Sequence, residues 1–243
     1  QKWVIDTPDH HKIYGVKSHA STPSKKAIFI IHGFACSFND YALKRAADHF
    51  YKDFDVYRFN LYDGQDGGRH LEDCTLHTHA DDLNLVLQNF SPAYDQIFLI
   101  GHSYGGTTIM IANPKNITAV SLWDPSFNLK GIQDNFKSGY EECGDVYKLK
   151  WGTTVLMGKA MYDLGTQLND EACITLAKNF SSPVQVLTAG NDYYKDKPIS
   201  YNSFGNPNNI REIIENADHC FFDGDTCNDL LNKTEKWFKQ YAP

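Results

Sequence analysis

The chain has 243 residues, of which 42% are hydrophobic and 22% charged, and its formal net charge is −7. These values are those of one globular domain over residues 1–243, and the negative charge disfavours nucleic acid as a partner. No apolar run approaches the roughly 20 residues that a transmembrane helix needs, so no membrane span is predicted.

Strand and helix signals alternate along the chain without an internal repeat. Short apolar or alternating runs predict strands at residues 3–6, 12–16, 27–31, 55–59, 96–100, 119–123, 184–188 and 211–214. Apolar residues at helical spacing predict helices after residue 40, near 77–90, over 107–112 and at the C-terminus. This alternation indicates an α/β protein with a mostly parallel eight-stranded sheet flanked by helices.

The stretch 127–182 departs from that alternation. It follows the sixth predicted strand and is too long for a simple crossover between two sheet strands. We therefore expect a helical cap inserted over residues 127–182. Its aromatic side chains either roof a substrate pocket or form a core of the cap's own; they are Phe127, Phe136, Tyr140, Tyr147, Trp151 and Tyr162.

The strongest local signal is Gly101-His102-Ser103-Tyr104-Gly105, which matches G-x-S-x-G. It follows a predicted strand and precedes a predicted helix, the setting in which such a serine lies on a sharp turn with its hydroxyl exposed. Small residues on either side let the neighbouring chain pass close by. The helix start places N–H groups and a positive dipole end beside any oxyanion formed there. The motif therefore predicts an acyl-transfer nucleophile at Ser103.

A serine nucleophile needs a base, and the base needs a carboxylate to hold it. His219 lies in the loop after the last predicted strand, and Asp192 follows the strand before it. Both positions fall at the carboxyl edge of the sheet, where open α/β sheets place their chemistry. Asp124 also ends a strand and is the alternative acid. An aspartate before a proline often only caps a turn, which favours Asp192.

The order Ser103, Asp192, His219 resembles that of the α/β-hydrolase superfamily, and so do His32-Gly33-Phe34 and Ala217-Asp218-His219-Cys220-Phe221. The last run and the moderate cap are similar to the monoacylglycerol-lipase and feruloyl-esterase-like branch. The resemblance implies an α/β-hydrolase fold and an oxyanion hole formed by the backbone N–H groups of Phe34 and Tyr104. It also implies that neither a metal nor an organic cofactor is needed. The residues after Asp192 lack the valine-proline pair often found there.

The predicted function is cleavage of a small-molecule carboxylic ester through an acyl-enzyme on Ser103, with an apolar or aromatic acyl group as one interpretation of the aromatic residues. A thioesterase or amidase with the same triad is an alternative, as is a non-catalytic ligand receptor on a hydrolase scaffold. The six cysteines are scattered without motif spacing, which favours a cytoplasmic protein with reduced cysteines over a secreted one.

Overall fold

The computed structural model describes residues 1–135, 137–151, 153–196 and 202–242. Its strands are β1 (Lys2–Asp6), β2 (Lys12–Ser18), β3 (Lys26–Ile31), β4 (Asp55–Phe59), β5 (Gln96–His102), β6 (Ala119–Trp123), β7 (Tyr140–Cys143), β8 (Val146–Trp151), β9 (Thr153–Gly158), β10 (Val184–Ala189) and β11 (Ile210–Ile214). Its helices are α1 (Tyr41–Phe50), α2 (Leu76–Phe90), α3 (Tyr104–Ala112), α4 (Leu129–Asn135), α5 (Lys159–Gln167), α6 (Asp170–Asn179) and α7 (Gly224–Lys239).

Eight of the described strands form one sheet in the order β1-β2-β4-β3-β5-β6-β10-β11. The two pairings of β2 are antiparallel, and every other pairing in this sheet is parallel. The prediction of a mostly parallel eight-stranded sheet is confirmed. Because β5, β6, β10 and β11 run side by side in one direction, the loops that follow them meet at one edge of the sheet.

Strand β3 shows how the helices cover both faces of the sheet. Ile28 and Ile30 are fully buried in a core with residues of α1 and α7. Phe29 and Ile31 are fully buried in a second core with residues of α2 and α3. Successive side chains of a strand point to opposite faces, so an uninterrupted apolar run is what a strand covered on both sides requires.

The connection between β6 and β10 is a mixed insertion rather than the helical cap expected over 127–182. It contains α4, α5 and α6, but also a separate antiparallel sheet in the order β7-β8-β9. The strand pattern is present in the sequence, since Tyr147 and Leu149 alternate with Lys148 and Lys150. That two-residue period places one apolar row against the domain and one charged row outward.

The aromatic residues of the insertion pack mainly on one another. The rings of Tyr147 and Tyr162 are stacked with centroids 4.1 Å apart, and Tyr140 meets Tyr162 edge-on at 5.3 Å. Phe136 and the side chain of Trp151 lie outside the described part of the chain. These tyrosines also pack against the core that the sheet forms with α2 and α3, so the packing of the insertion is continuous with that of the domain.

None of the helices in the described ranges combines the length and hydrophobicity that crossing a bilayer requires. The six cysteines, all of which lie within those ranges, are unpaired.

Candidate active site

Ser103 occupies a strained turn between β5 and α3. Its backbone has φ 54° and ψ −121°, a conformation that residues with a side chain rarely adopt. The turn is tight because the chain passes directly behind it: a Cβ added to Gly105 would lie 2.3 Å from the carbonyl oxygen of Ile31. Glycine is therefore required two positions after the serine, and the turn directs the serine side chain away from the crowded side.

His219 contacts the hydroxyl of Ser103. It lies in the loop after β11, and its Nε2 is 2.9 Å from Ser103 Oγ. Its carbonyl oxygen accepts a hydrogen bond of 2.7 Å from Nε2 of His102. Burial and the neighbouring imidazole lower the pKa of His102 to about 4, so that ring stays neutral. His102 therefore fixes the backbone of the loop that carries His219.

Both candidate acids contact the other nitrogen of the same imidazole. His219 Nδ1 is 2.6 Å from Asp124 Oδ2 and 3.1 Å from Asp192 Oδ2. The Asp124 side chain is 0% exposed and that of Asp192 is 24% exposed. The second oxygen of Asp124 accepts a hydrogen bond of 2.9 Å from the backbone N–H of Ala189. The structure thus places Asp192, as well as its alternative, at the imidazole.

The pKa values of the two carboxyl groups are shifted in opposite directions. Burial raises the pKa of Asp124, and its hydrogen bond with Asp192 adds to that effect against the opposing contact of His219. Burial also acts on Asp192, but hydrogen bonds from His219 and Asp124 outweigh it and hold the pKa well below its usual range. For His219, burial favours the neutral ring, yet the two carboxyl groups raise its pKa above the ordinary value. The three groups titrate as one coupled set.

Phe34 and Tyr104, the residues predicted to form the oxyanion hole, line the same cavity as Ser103. Tyr104 is the first residue of α3, and the first N–H groups of a helix have no acceptor within it. The loop carrying Phe34 passes so close that a Cβ added to Gly33 would lie 2.9 Å from Cβ of Ser103. His32 orders that loop: its Nδ1–H donates to the carbonyl of Gly33 at 2.8 Å, while its Nε2 accepts from the backbone at 2.9 Å.

These groups open into a cavity of about 410 Å³ with mainly apolar walls. Tyr193 and Tyr194 come from the turn after β10, and Ile132 comes from the insertion. The lining residues in the described ranges are Phe34, Cys36, Ser103, Tyr104, Ser126, Ile132, Asp192, Tyr193, Tyr194, His219 and Cys220. The cavity is therefore large enough for a small organic molecule, and Ile132 of the insertion forms part of its wall.

Ser126 is a residue of this site that the sequence analysis did not single out. Its Oγ lies 3.0 Å from Ser103 Oγ. The available signal was its place in Asp124-Pro125-Ser126, directly after a strand that neighbours β5. No motif marks that position.

Among the described residues, Asp124, Asp192 and His219 also form a group that could hold a metal ion. One possible ligand atom of each lies within 4.8 Å of the others. One ring nitrogen and two carboxylate oxygens are donors that a divalent cation accepts. The hydrogen bonds from Nδ1 already account for this clustering, so the arrangement fits a base held by two acids.

Comparison with known proteins agrees with this architecture. A family model described as alpha/beta hydrolase fold matches residues 26–125. Est1E from Butyrivibrio proteoclasticus, solved with ferulic acid bound, has a TM-score of 0.80 at 16% identity, with 98% of each chain covered. Alpha/beta hydrolase domain-containing protein 10 from mouse has a TM-score of 0.76 at 15% identity, with 99% of each chain covered.

A soluble variant of monoglyceride lipase from Saccharomyces cerevisiae, in complex with a substrate analog, has a TM-score of 0.76 at 13% identity over 99% of this chain and 94% of that one. No curated protein sequence matches the chain. The α/β-hydrolase fold and the resemblance to that superfamily are confirmed.

The shared contact at Nδ1 predicts how His219 titrates. Either carboxylate alone can accept the Nδ1–H, so we expect its pKa to stay above 6.5 in Asp124→Asn and in Asp192→Asn. In the double variant burial acts unopposed, and we expect the pKa to fall by about 2 or more. The imidazole ¹³Cε1 shift followed by NMR against pH measures it, with circular dichroism as the folding control. A folded double variant that titrates like the wild type would show that neither acid holds the ring.

Proposed function

We propose that the protein is a serine hydrolase that cleaves carboxylic esters through an acyl-enzyme on Ser103. The observation that carries the proposal is the 2.9 Å contact between Ser103 Oγ and His219 Nε2, with carboxylates on the opposite nitrogen of the same ring. A hydroxyl, a base and an acid in this order are the arrangement that activates a serine for attack on a carbonyl.

In the first step, Ser103 Oγ attacks the ester carbonyl while its proton passes to His219 Nε2. The carbonyl oxygen becomes an oxyanion that accepts hydrogen bonds from the backbone N–H groups of Phe34 and Tyr104; losing one such donor costs about 3 kcal/mol of barrier. His219 then gives the proton to the departing alcohol. Water, deprotonated by the same imidazole, attacks the acyl group, and Ser103 Oγ leaves and regains its proton.

Asp192 and Asp124 together orient the base in this proposal. Each places a carboxylate oxygen within hydrogen-bond distance of Nδ1, so the neutral ring carries its proton there and leaves Nε2 as the acceptor. The negative charge of the pair also stabilises the imidazolium that forms during attack. Asp124, fully buried and anchored by the N–H of Ala189, is the more rigid of the two.

The cavity supports an apolar or aromatic acyl group. Its lining combines the rings of Phe34, Tyr104, Tyr193 and Tyr194 with Ile132, and the carboxyl and imidazole groups in it belong to the proposed machinery. Burial raises the pKa of the two thiols in the lining, Cys36 and Cys220, which keeps them protonated at neutral pH. Such walls favour an uncharged acyl group.

Support for esters over other acyl compounds comes from the structural relatives, one solved with ferulic acid and one a monoglyceride lipase. The same nucleophile, base and oxyanion donors serve thioesters and amides, so these remain the alternative substrates. A ligand receptor on this scaffold would need neither the short contact to Nε2 nor the carboxylates behind it.

We expect a fluorophosphonate to label the wild type at Ser103 and to leave Ser103→Ala unlabelled. Hydrolysis of p-nitrophenyl butyrate should fall at least about 10⁴-fold in that variant, because the acyl-enzyme cannot form. Only the neutral imidazole accepts the proton, so the labelling rate should rise as the pH is raised through the elevated pKa of His219. Intact-protein mass spectrometry and absorbance assays measure both.

Ser121→Ala is the matched control for Ser103→Ala, since Ser121 is another buried serine, on β6, that hydrogen-bonds to Gln185 and Thr234. It should label like the wild type. A folded wild type that is not labelled would contradict the hydrolase proposal and favour the receptor.

The acyl preference is tested with a series of p-nitrophenyl esters of increasing chain length. Each methylene buried in the cavity is worth about 0.8 kcal/mol, so we expect kcat/KM to rise about fourfold per carbon until the cavity is filled. Ile132→Ala should move the optimum to a longer chain. A flat profile in both proteins would rule out a fitted acyl pocket.

A further inference from the structure

A second hydroxyl lies against the nucleophile. Ser126 Oγ is 3.0 Å from Ser103 Oγ, and Ser126 is only 3% exposed. It lies two residues after Asp124, in the segment that leaves β6. Ser103 Oγ therefore has two side-chain partners, His219 on one side and Ser126 on the other.

The backbone of Ser126 is held from two directions. Its N–H donates to the carbonyl oxygen of Ser103 at 3.1 Å. Its own carbonyl accepts a hydrogen bond of 2.6 Å from the hydroxyl of Thr107, which lies on α3 and is 1% exposed. The hydroxyl of Ser126 is thus fixed in place relative to the nucleophile by contacts that do not involve substrate.

The proton positions follow from the contacts of His219. In the neutral imidazole that acts as a base, Nδ1–H donates to a carboxylate and Nε2 accepts the proton of Ser103. The hydroxyl of Ser103 then donates its single proton to the hydrogen bond with Nε2. In the contact between the two serines, the donor must therefore be Ser126 and the acceptor Ser103 Oγ.

We propose that Ser126 is a further catalytic residue, whose hydroxyl donates to Ser103 Oγ while negative charge develops on that oxygen. This inference rests on the proposed function. Charge builds on Ser103 Oγ when its proton passes to His219 during attack, and again when that oxygen leaves the acyl-enzyme. No proton leaves Ser126 in either step. A hydrogen bond to a charged oxygen is stronger than one to a neutral hydroxyl, so the donor lowers the barrier of both steps.

The test measures two quantities for Ser126→Ala and for Ser126→Cys, which keeps the size of the side chain but carries only a weak donor. These are the rate constant of Ser103 labelling by a fluorophosphonate, and kcat and KM for p-nitrophenyl butyrate. We expect Ser126→Ala to slow labelling and to lower kcat by about tenfold, with KM nearly unchanged. Ser126→Cys should lower both rates by about threefold or more, because a thiol donates a weaker hydrogen bond than a hydroxyl.

Ser121→Ala again serves as the control, since it removes a buried, hydrogen-bonded hydroxyl from the strand that precedes Ser126. It is expected to lower the melting temperature and to leave the labelling rate unchanged. A Ser126→Ala protein that melts like Ser121→Ala but labels at the wild-type rate would show a structural role only and overturn the inference.

A further outcome concerns folding. If Ser126→Ala does not fold, Ser126→Cys carries the test, and wild-type rates in it overturn the inference. A wild type that is not labelled at all is instead the failure of the proposed hydrolase function.

Discussion

The hydrogen bond between Ser103 Oγ and His219 Nε2 is the interaction on which the rest of the site depends. It joins residues 116 positions apart in sequence, and it exists because the parallel strands β5 and β11 deliver their following loops to one edge of the sheet. A positive φ at Ser103 turns its hydroxyl toward that edge, and the close passage of the chain at Gly105 maintains the turn. Relaxing this strained backbone would move the hydroxyl away from the imidazole.

On the other side of the imidazole, two carboxyl groups share one N–H. Burial is the main influence on Asp124 and raises its pKa, whereas hydrogen bonds from His219 and Asp124 lower the pKa of Asp192. Each acid has an oxygen within hydrogen-bond distance of Nδ1, so either one alone can accept the hydrogen bond of that N–H. The position and tautomer of His219 are thus secured by a pair, and the titration belongs to the whole group.

Local sequence signals were sufficient to predict the alternation of strands and helices, the sheet and the turn at Ser103. The alternation and the sheet follow from the periodicity of apolar residues, and the turn follows from a motif that few residues can form. His219 could be placed by its position after a strand. The sequence favoured Asp192 over Asp124, yet both carboxylates lie at the imidazole, since they follow neighbouring strands that end there. Ser126 was missed because its role arises only from the packing of two loops. The insertion was expected to be helical. Its strands were missed because their apolar residues alternate over only a few positions.

The most direct test of the central claim is a crystal structure of the protein after reaction with a fluorophosphonate. The account predicts a phosphorus atom bonded to Ser103 Oγ, a phosphoryl oxygen within hydrogen-bond distance of the N–H groups of Phe34 and Tyr104, and His219 Nε2 facing the modified oxygen. Phosphorus on another side chain, or a phosphoryl oxygen turned away from both N–H groups, would contradict it.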